Sequence, residues 1–248
     1  MARQSGAQTA ATNDSYAVSV GHDVAAGIAR DVLEAGGNAV DAGVAASIAL
    51  TVLHSEQVQF GGVAPILLYL ADENRYISIE GAGRWPASAT PDYFREKHRG
   101  RIPQGILRTV VPAAPDAWLT ALARFGTMSF ADLAAPAQTL AADGFPAHDD
   151  LVSCSTQFER YYQRISDDNA RLWLPGGAPV AAGQIFRLPE LARTIGLLID
   201  ADRNAARKSG RAAGLQAVHD VFYEGDIAEA MIRHVQACDG WLTQADLA

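Results

Sequence analysis

A chain of 248 residues, 49% of them hydrophobic, can bury a sizeable core as one domain and is too apolar to remain disordered. Its formal net charge of -8 argues against a nucleic-acid partner, which calls for a basic face. Cys154 and Cys238 fit no metal-ligand spacing and read as buried or free thiols. The first fourteen residues hold no apolar stretch of the signal-peptide kind, so the sequence reads as cytoplasmic, and as periplasmic only if a leader has been removed ahead of it.

Residues 1–14, small and polar, read as a mobile tail, and residues 15–248 as one domain with no repeat and no linker. Residues 16–20 alternate and suit a short strand. Val24, Ile28 and Val32 recur every fourth residue while Arg30, Asp31 and Glu34 face outward, which predicts an amphipathic helix ending at Gly36. Gly36-Gly37 then ends that helix, Asn38 caps the next, and Asp41 places a negative charge in its first turn, where the helix dipole favours it. From Ala39 to Leu53 Asp41 is the only charged residue and small residues dominate. A helix apolar on every face must be buried, and this one is short for a membrane span. An ordinary Ala-rich helical hairpin fits the same periodicity.

Gly61-Gly62 opens a loop before Ile66-Leu67-Leu68-Tyr69-Leu70, and the turn Asp72-Glu73-Asn74 leads into Tyr76-Ile77-Ser78-Ile79, so the two runs predict a hairpin. The first strand is apolar on both faces, which predicts a sheet covered on both sides. Gly81-Ala82-Gly83 starts a loop reaching Pro91; Pro86 stands where a dinucleotide fingerprint needs its third glycine, so the segment reads as a turn. Helices are expected over residues 115–125, 130–143, 151–165 and 188–200, and within 221–238, where Ile227, Met231 and Val235 share a face. Phe158, Tyr161 and Tyr162 are expected in the core. Arg203, Arg207, Lys208 and Arg211 read as a solvated basic face.

Six blocks in order carry a resemblance. Gly36-Gly37-Asn38-Ala39-Val40-Asp41-Ala42 with its small-residue helix is the first, and Thr90-Pro91-Asp92-Tyr93-Phe94 the second. Val110-Val111-Pro112 followed by Trp118 and Arg124-Phe125-Gly126 is the third; Leu133-Ala134-Ala135-Pro136-Ala137 with Asp143-Gly144-Phe145-Pro146 is the fourth. Phe222-Tyr223-Glu224-Gly225-Asp226-Ile227-Ala228 and Gly240-Trp241-Leu242-Thr243-Gln244-Ala245-Asp246-Leu247 close the series. Together they resemble the large subunit of the gamma-glutamyltranspeptidase family, and residues 203–211 lie where the family pattern is shorter.

The resemblance implies an α+β fold, a four-layer αββα sandwich of the N-terminal-nucleophile hydrolase type, completed by a separate small subunit. It implies a precursor that cuts itself, with the catalytic threonine at the start of the small subunit and this chain as the large subunit, stopping short of its C-terminal part. A small-molecule amide is the implied substrate, a dimer of heterodimers is compatible, and no metal or organic cofactor is implied. An N-terminal nucleophile uses its own α-amine as general base. Residue 1 here is Met and residue 2 Ala, so the catalytic group is expected on the other chain. No Gly-x-Ser-x-Gly elbow, His-Glu-x-x-His or P-loop offers a substitute.

The candidate substrate-binding residues are Arg84, Ala82, Gly61 and Gly62. Transpeptidases of the family carry Arg-Glu-Thr-Ala-Pro, whose arginine grips the substrate α-carboxylate; setting Pro86 on that proline puts Ala82 at the arginine. Ala82 offers neither charge nor a forked donor. Arg84, two residues on, is a displaced candidate for the role, or a surface arginine, or the partner of Glu80. The family's run of glycines is reduced to Gly61-Gly62-Val63-Ala64-Pro65, where Pro65 removes an N–H donor. This pair reads equally as a tight turn or as a site wall whose backbone approaches a reacting carbonyl. The favoured reading is a family amidohydrolase whose acyl group need not be glutamyl. A true gamma-glutamyltranspeptidase with a moved carboxylate clamp is one alternative, and a non-catalytic scaffold that kept the fold is another.

Overall fold

The computed structural model describes residues 9–12 and 15–248. The chain divides into two compact units, each built from two separated stretches: residues up to Gln59 with Ala131–Ile199, and Phe60–Phe130 with Asp200–Ala248.

The first unit opens with β1 (Thr9–Thr12), paired antiparallel with β2 (Ala17–Val20). Part of the expected tail is therefore a strand; residues 1–8, 13 and 14 of it lie outside the described residues. Helix α1 (Asp23–Glu34) buries Ala25, Ala26, Ala29 and Val32, while Val24, expected on the inner stripe, is exposed. Gly36 turns the chain at φ 92° into α2 (Ala39–Leu53), which runs over the expected residues. The Asn38 carboxamide oxygen accepts from the N–H groups of Val40 and Asp41, and the Asp41 carboxylate accepts from Asn38 N–H, a reciprocal capping box. Alanines at 42, 45, 46 and 49 let α1 approach α2 closely. Burial is not complete on every side: Gly43 is exposed, and Ser47 folds its hydroxyl back to Gly43 O.

The same unit continues through α5 (Phe130–Asp143) and the short pair β5 (Phe145–Pro146) and β6 (Ile185–Phe186). The single helix expected over 151–165 is two, α6 (Asp149–Gln157) and α7 (Glu159–Ile165), broken at Phe158, where ψ is 9°. A further helix, α8 (Asp167–Trp173), follows. The break alters which aromatics are buried. Phe158 and Tyr161 are exposed, and only Tyr162 stacks inward on Trp173, their rings 5.6 Å apart. Helix α9 (Pro189–Ser209) contributes Ile195, Leu198 and Ile199 to the core and runs past the expected stop at residue 200.

The second unit carries the hairpin β3 (Ile66–Leu70) and β4 (Arg75–Ile79), in register from Ile66 opposite Ile79 to Leu70 opposite Arg75. The expectation that this sheet is covered on both sides is not met within this chain: Leu67 and Tyr76 are each 72% exposed, and Tyr69 also faces out. Helix α3 (Pro91–His98) is capped by the Thr90 hydroxyl, with Pro91 at its first position, where a missing N–H costs nothing. Trp241 packs edge-on against Tyr93 and Phe94. The core centres on α4 (Ala114–Phe125), whose Trp118 meets Phe60 at 5.3 Å, with Phe222 of α10 (Arg211–Tyr223) beside Phe60. Arg211 is not a solvated residue: its guanidinium donates to the carbonyls of Leu122 and Met128, both at 2.7 Å, satisfying the C-terminal end of α4. Arg203, Arg207 and Lys208 are exposed as expected. Helices α11 (Asp226–Ala237) and α12 (Gln244–Leu247) end the unit; Glu224-Gly225 interrupts the helix expected over 221–238.

Candidate functional site

Three backbone segments of the second unit meet beside α4. Residues 61–65 precede β3, residues 80–84 leave β4, and residues 110–113 enter α4. Main-chain hydrogen bonds lace them together. Ala64 N–H donates to Gly81 O at 2.8 Å, Ala113 and Ala114 N–H to Gly62 O at 2.9 and 3.0 Å, and Val111 N–H to Arg84 O at 2.8 Å. The approach is close enough to specify glycine twice. Gly81 has φ 50° and Gly83 φ 73°; a Cβ would stand 2.2 Å from Ala64 O in the first case and 2.5 Å from Val111 O in the second. Ala82 is held between these two fixed points with its methyl group exposed.

Gly61 and Gly62 are different. Neither has a positive φ, and a Cβ on Gly61 would make only ordinary contact with Pro112. The N–H groups of Gly61, Gly62 and Val63 have no partner among the described residues, so this short edge presents donors.

The segments open on a cleft of about 440 Å³, a volume suited to a small molecule, lined by residues 79–84, 111–113, Asp116, Thr120, His219, Tyr223 and residues 246–248. Ala82 and Arg84 both line it; Gly61 and Gly62 do not, and they reach it only through the bonds from Gly62 O to residues 113 and 114. The Arg84 side chain is exposed and has no hydrogen bond or ion pair among the described residues, and Glu80 is likewise unpaired, so the Arg84–Glu80 pair does not form. The cleft thus offers one uncommitted guanidinium.

Two lining groups, not among the candidate site residues, serve as struts. The buried Tyr223 hydroxyl donates to Pro112 O at 2.9 Å and accepts from Asp116 N–H at 3.1 Å, which holds the start of α4 against α10. Burial pushes the phenol well above its ordinary range, so it stays a donor. The Asp246 carboxylate accepts from the Thr243 hydroxyl and N–H, capping α12, and from Ala87 N–H, which ties α12 to the loop beyond Arg84. Tyr223 lies in a block quoted for the resemblance, but its bonding partners are 107 and 111 residues away, beyond any local pattern. The Gly81-x-Gly83 spacing was the one legible sign of a fixed loop.

Against known proteins, the gamma-glutamyltranspeptidase family model matches residues 25–248. The glutathione hydrolase proenzyme of Bacillus subtilis (strain 168) is 30% identical over 235 residues, covering 93% of this chain and 37% of its own length. The acylase ACY 1 proenzyme of Pseudomonas sp. (strain V22) is 32% identical over 248 residues, covering 96% and 41%. The crystal structure of cephalosporin acylase from Bacillus halodurans matches with a TM-score of 0.76 at 27% identity, over 91% of this chain and 40% of that one. The chain therefore spans about two fifths of the length of these curated relatives.

Proposed function

The chain belongs to the gamma-glutamyltranspeptidase family, with the α+β fold of the N-terminal-nucleophile hydrolases, and from that membership we propose that it is the large-subunit part of an amidohydrolase acting on a small-molecule amide whose acyl group need not be glutamyl. The catalytic threonine would begin a small subunit cut from the same precursor; the relatives named above as proenzymes support that division. Its hydroxyl would attack the amide carbonyl, with its own α-amine taking the proton, and the amine half would leave. Water would then hydrolyse the acyl-enzyme.

The observation that carries the reading is the fixed backbone around Ala82. Glycines 81 and 83 are locked against Ala64 O and Val111 O, so the loop resists sliding by two residues to bring Arg84 into the place that the resemblance assigns to the carboxylate-binding arginine. A methyl group stands there instead. One fact favours a second reading, a transpeptidase with a relocated clamp: the Arg84 guanidinium lines the same cleft and is uncommitted.

Steady-state kinetics of the processed protein separate the two. In the first reading gamma-glutamyl-p-nitroanilide is a poor substrate beside other N-acyl amides, and Arg84→Met leaves its turnover unchanged. In the second it is turned over at ordinary transpeptidase rates. Arg84→Met then raises KM at least about tenfold with kcat retained, the size expected for losing a charged hydrogen bond of about 1.5–3 kcal/mol. N-terminal sequencing of the chain that co-purifies tests the shared premise: threonine at its first position is expected, and a co-purifying chain starting with any non-nucleophilic residue refutes it.

A further inference from the structure

We propose that the first unit contains a zinc site formed by His54, Glu56 and His148, with His22 packed beside it. This inference rests on a different part of the chain from the cleft and does not depend on the proposed activity.

The three histidines stand 32 and 94 residues apart in sequence, and each sits at a helix terminus that fixes it. His22 caps the start of α1, its Nδ1 accepting from Val24 N–H at 3.1 Å. His54 follows the last turn of α2. His148 caps the start of α6, its Nδ1 accepting from Leu151 N–H at 3.3 Å while Nε2 donates to Leu53 O at 2.7 Å. The rings converge: 4.4 Å between His54 and His148, 5.6 Å from His22 to His54 and 5.7 Å from His22 to His148.

A carboxylate completes the group. The Glu56 side chain is 2% exposed, with Oε1 2.8 Å from His54 Nδ1. Its Oε2 is buried and has no hydrogen-bond partner among the described residues. A buried carboxylate oxygen left without a donor is costly, and a bound cation is one way to satisfy it. With His54 Nε2–H donating to Gly21 O, Nδ1 is the nitrogen left to bind a metal, and it faces Glu56 Oε1, so the two ligand atoms lie side by side and a metal would displace the proton between them.

The donor set selects the ion. Imidazole nitrogens with one carboxylate suit zinc, whereas magnesium and calcium want oxygens alone. The ligand atoms of His54, Glu56 and His148 lie within 4.8 Å of one another, and a tetrahedral site with bonds of about 2.0–2.1 Å brings such atoms to about 3.4 Å. Small side-chain rotations close that gap, the long bond from Leu151 being the one a metal on His148 Nδ1 would displace. His22 Nδ1 accepts from Val24 N–H, so its Nε2 carries the proton and His22 lines the site without ligating.

The experiment uses the purified, processed protein, stripped with a chelator and titrated with zinc chloride by calorimetry, then with cobalt(II) followed by visible absorption. One zinc per chain is expected, with the intense visible bands of low-coordinate cobalt. Glu56→Gln and His148→Asn should each weaken zinc binding by at least about tenfold. Asparagine preserves a capping acceptor, so His148→Asn keeps α6 and decides the matter if Glu56→Gln does not fold, as read by circular dichroism. His219→Asn, in the second cluster of His219, Asp220 and Glu224, should leave zinc binding unchanged. The proposal is overturned if the folded wild type binds no zinc, if His148→Asn binds it as tightly as the wild type, or if only His219→Asn abolishes binding.

Discussion

A methyl group added to Gly81 has nowhere to go. The residue sits at φ 50° with Ala64 O 2.2 Å from the point where Cβ would be, and the clash is with backbone that is itself bonded to Gly81. Gly81→Ala should therefore cost about 2 kcal/mol or more, read as a lower urea midpoint. Gly61→Ala meets only Pro112 at 3.9 Å with no positive φ, so its urea midpoint should barely move. A Gly61→Ala loss as large as that of Gly81→Ala would contradict the distinction drawn between the two glycines. Tyr223→Phe removes the hydroxyl serving Pro112 O and Asp116 N–H, and leaving that carbonyl unsatisfied in a buried place costs about 1–3 kcal/mol, again by urea unfolding. Of these residues, Gly81 was legible as half of a Gly-x-Gly turn. Tyr223 was not, because a hydroxyl's partner across more than a hundred residues leaves no trace in local spacing.

Among elements, α2 was the most legible, since its start is written in a three-residue cap and its length in an unbroken apolar run. Where the sequence misled, the cause was a local interruption of an otherwise helical pattern: the break at Phe158 turned an expected core face into two short helices with exposed aromatics. Helix α12 is short enough that its cap dominates it. Burial would raise the Asp246 carboxylate, but bonds from the Thr243 hydroxyl, Ala87 N–H and Thr243 N–H outweigh that and hold it below the usual 3.8. A carboxylate whose folded value is depressed stabilises the fold above its unfolded value, and that contribution is lost as pH falls through the folded one. Asp246→Asn should accordingly be less stable than the wild type at pH 7, and the gap in urea midpoint should narrow as pH falls below about 3.8. A gap that stayed constant into that range would remove the carboxylate's charge from the explanation.

For the whole molecule, the informative surface is the open face of the β3–β4 hairpin. Strand β3 reads in sequence as buried on both sides, yet Leu67, Tyr69 and Tyr76 stand in solvent in this chain. Apolar strands with one bare face are what a chain shows when a second polypeptide completes its sheet layer. Leu67→Asp is expected to leave the folded chain intact by circular dichroism, because the side chain is 72% exposed, while abolishing co-purification of the proposed small subunit. Retained co-purification would place the partner elsewhere. Composition, caps and apolar periodicity determined the helices, the hairpin and, through six ordered blocks, the family, because each of these is encoded in neighbours a few residues apart. Which loops press together around Ala82, which arginine is spent on the end of α4 and which stays uncommitted, and the meeting of three distant histidines at three helix ends were decided only by the tertiary structure. Those outcomes depend on contacts between residues tens to more than a hundred positions apart, which no pattern along the chain can specify.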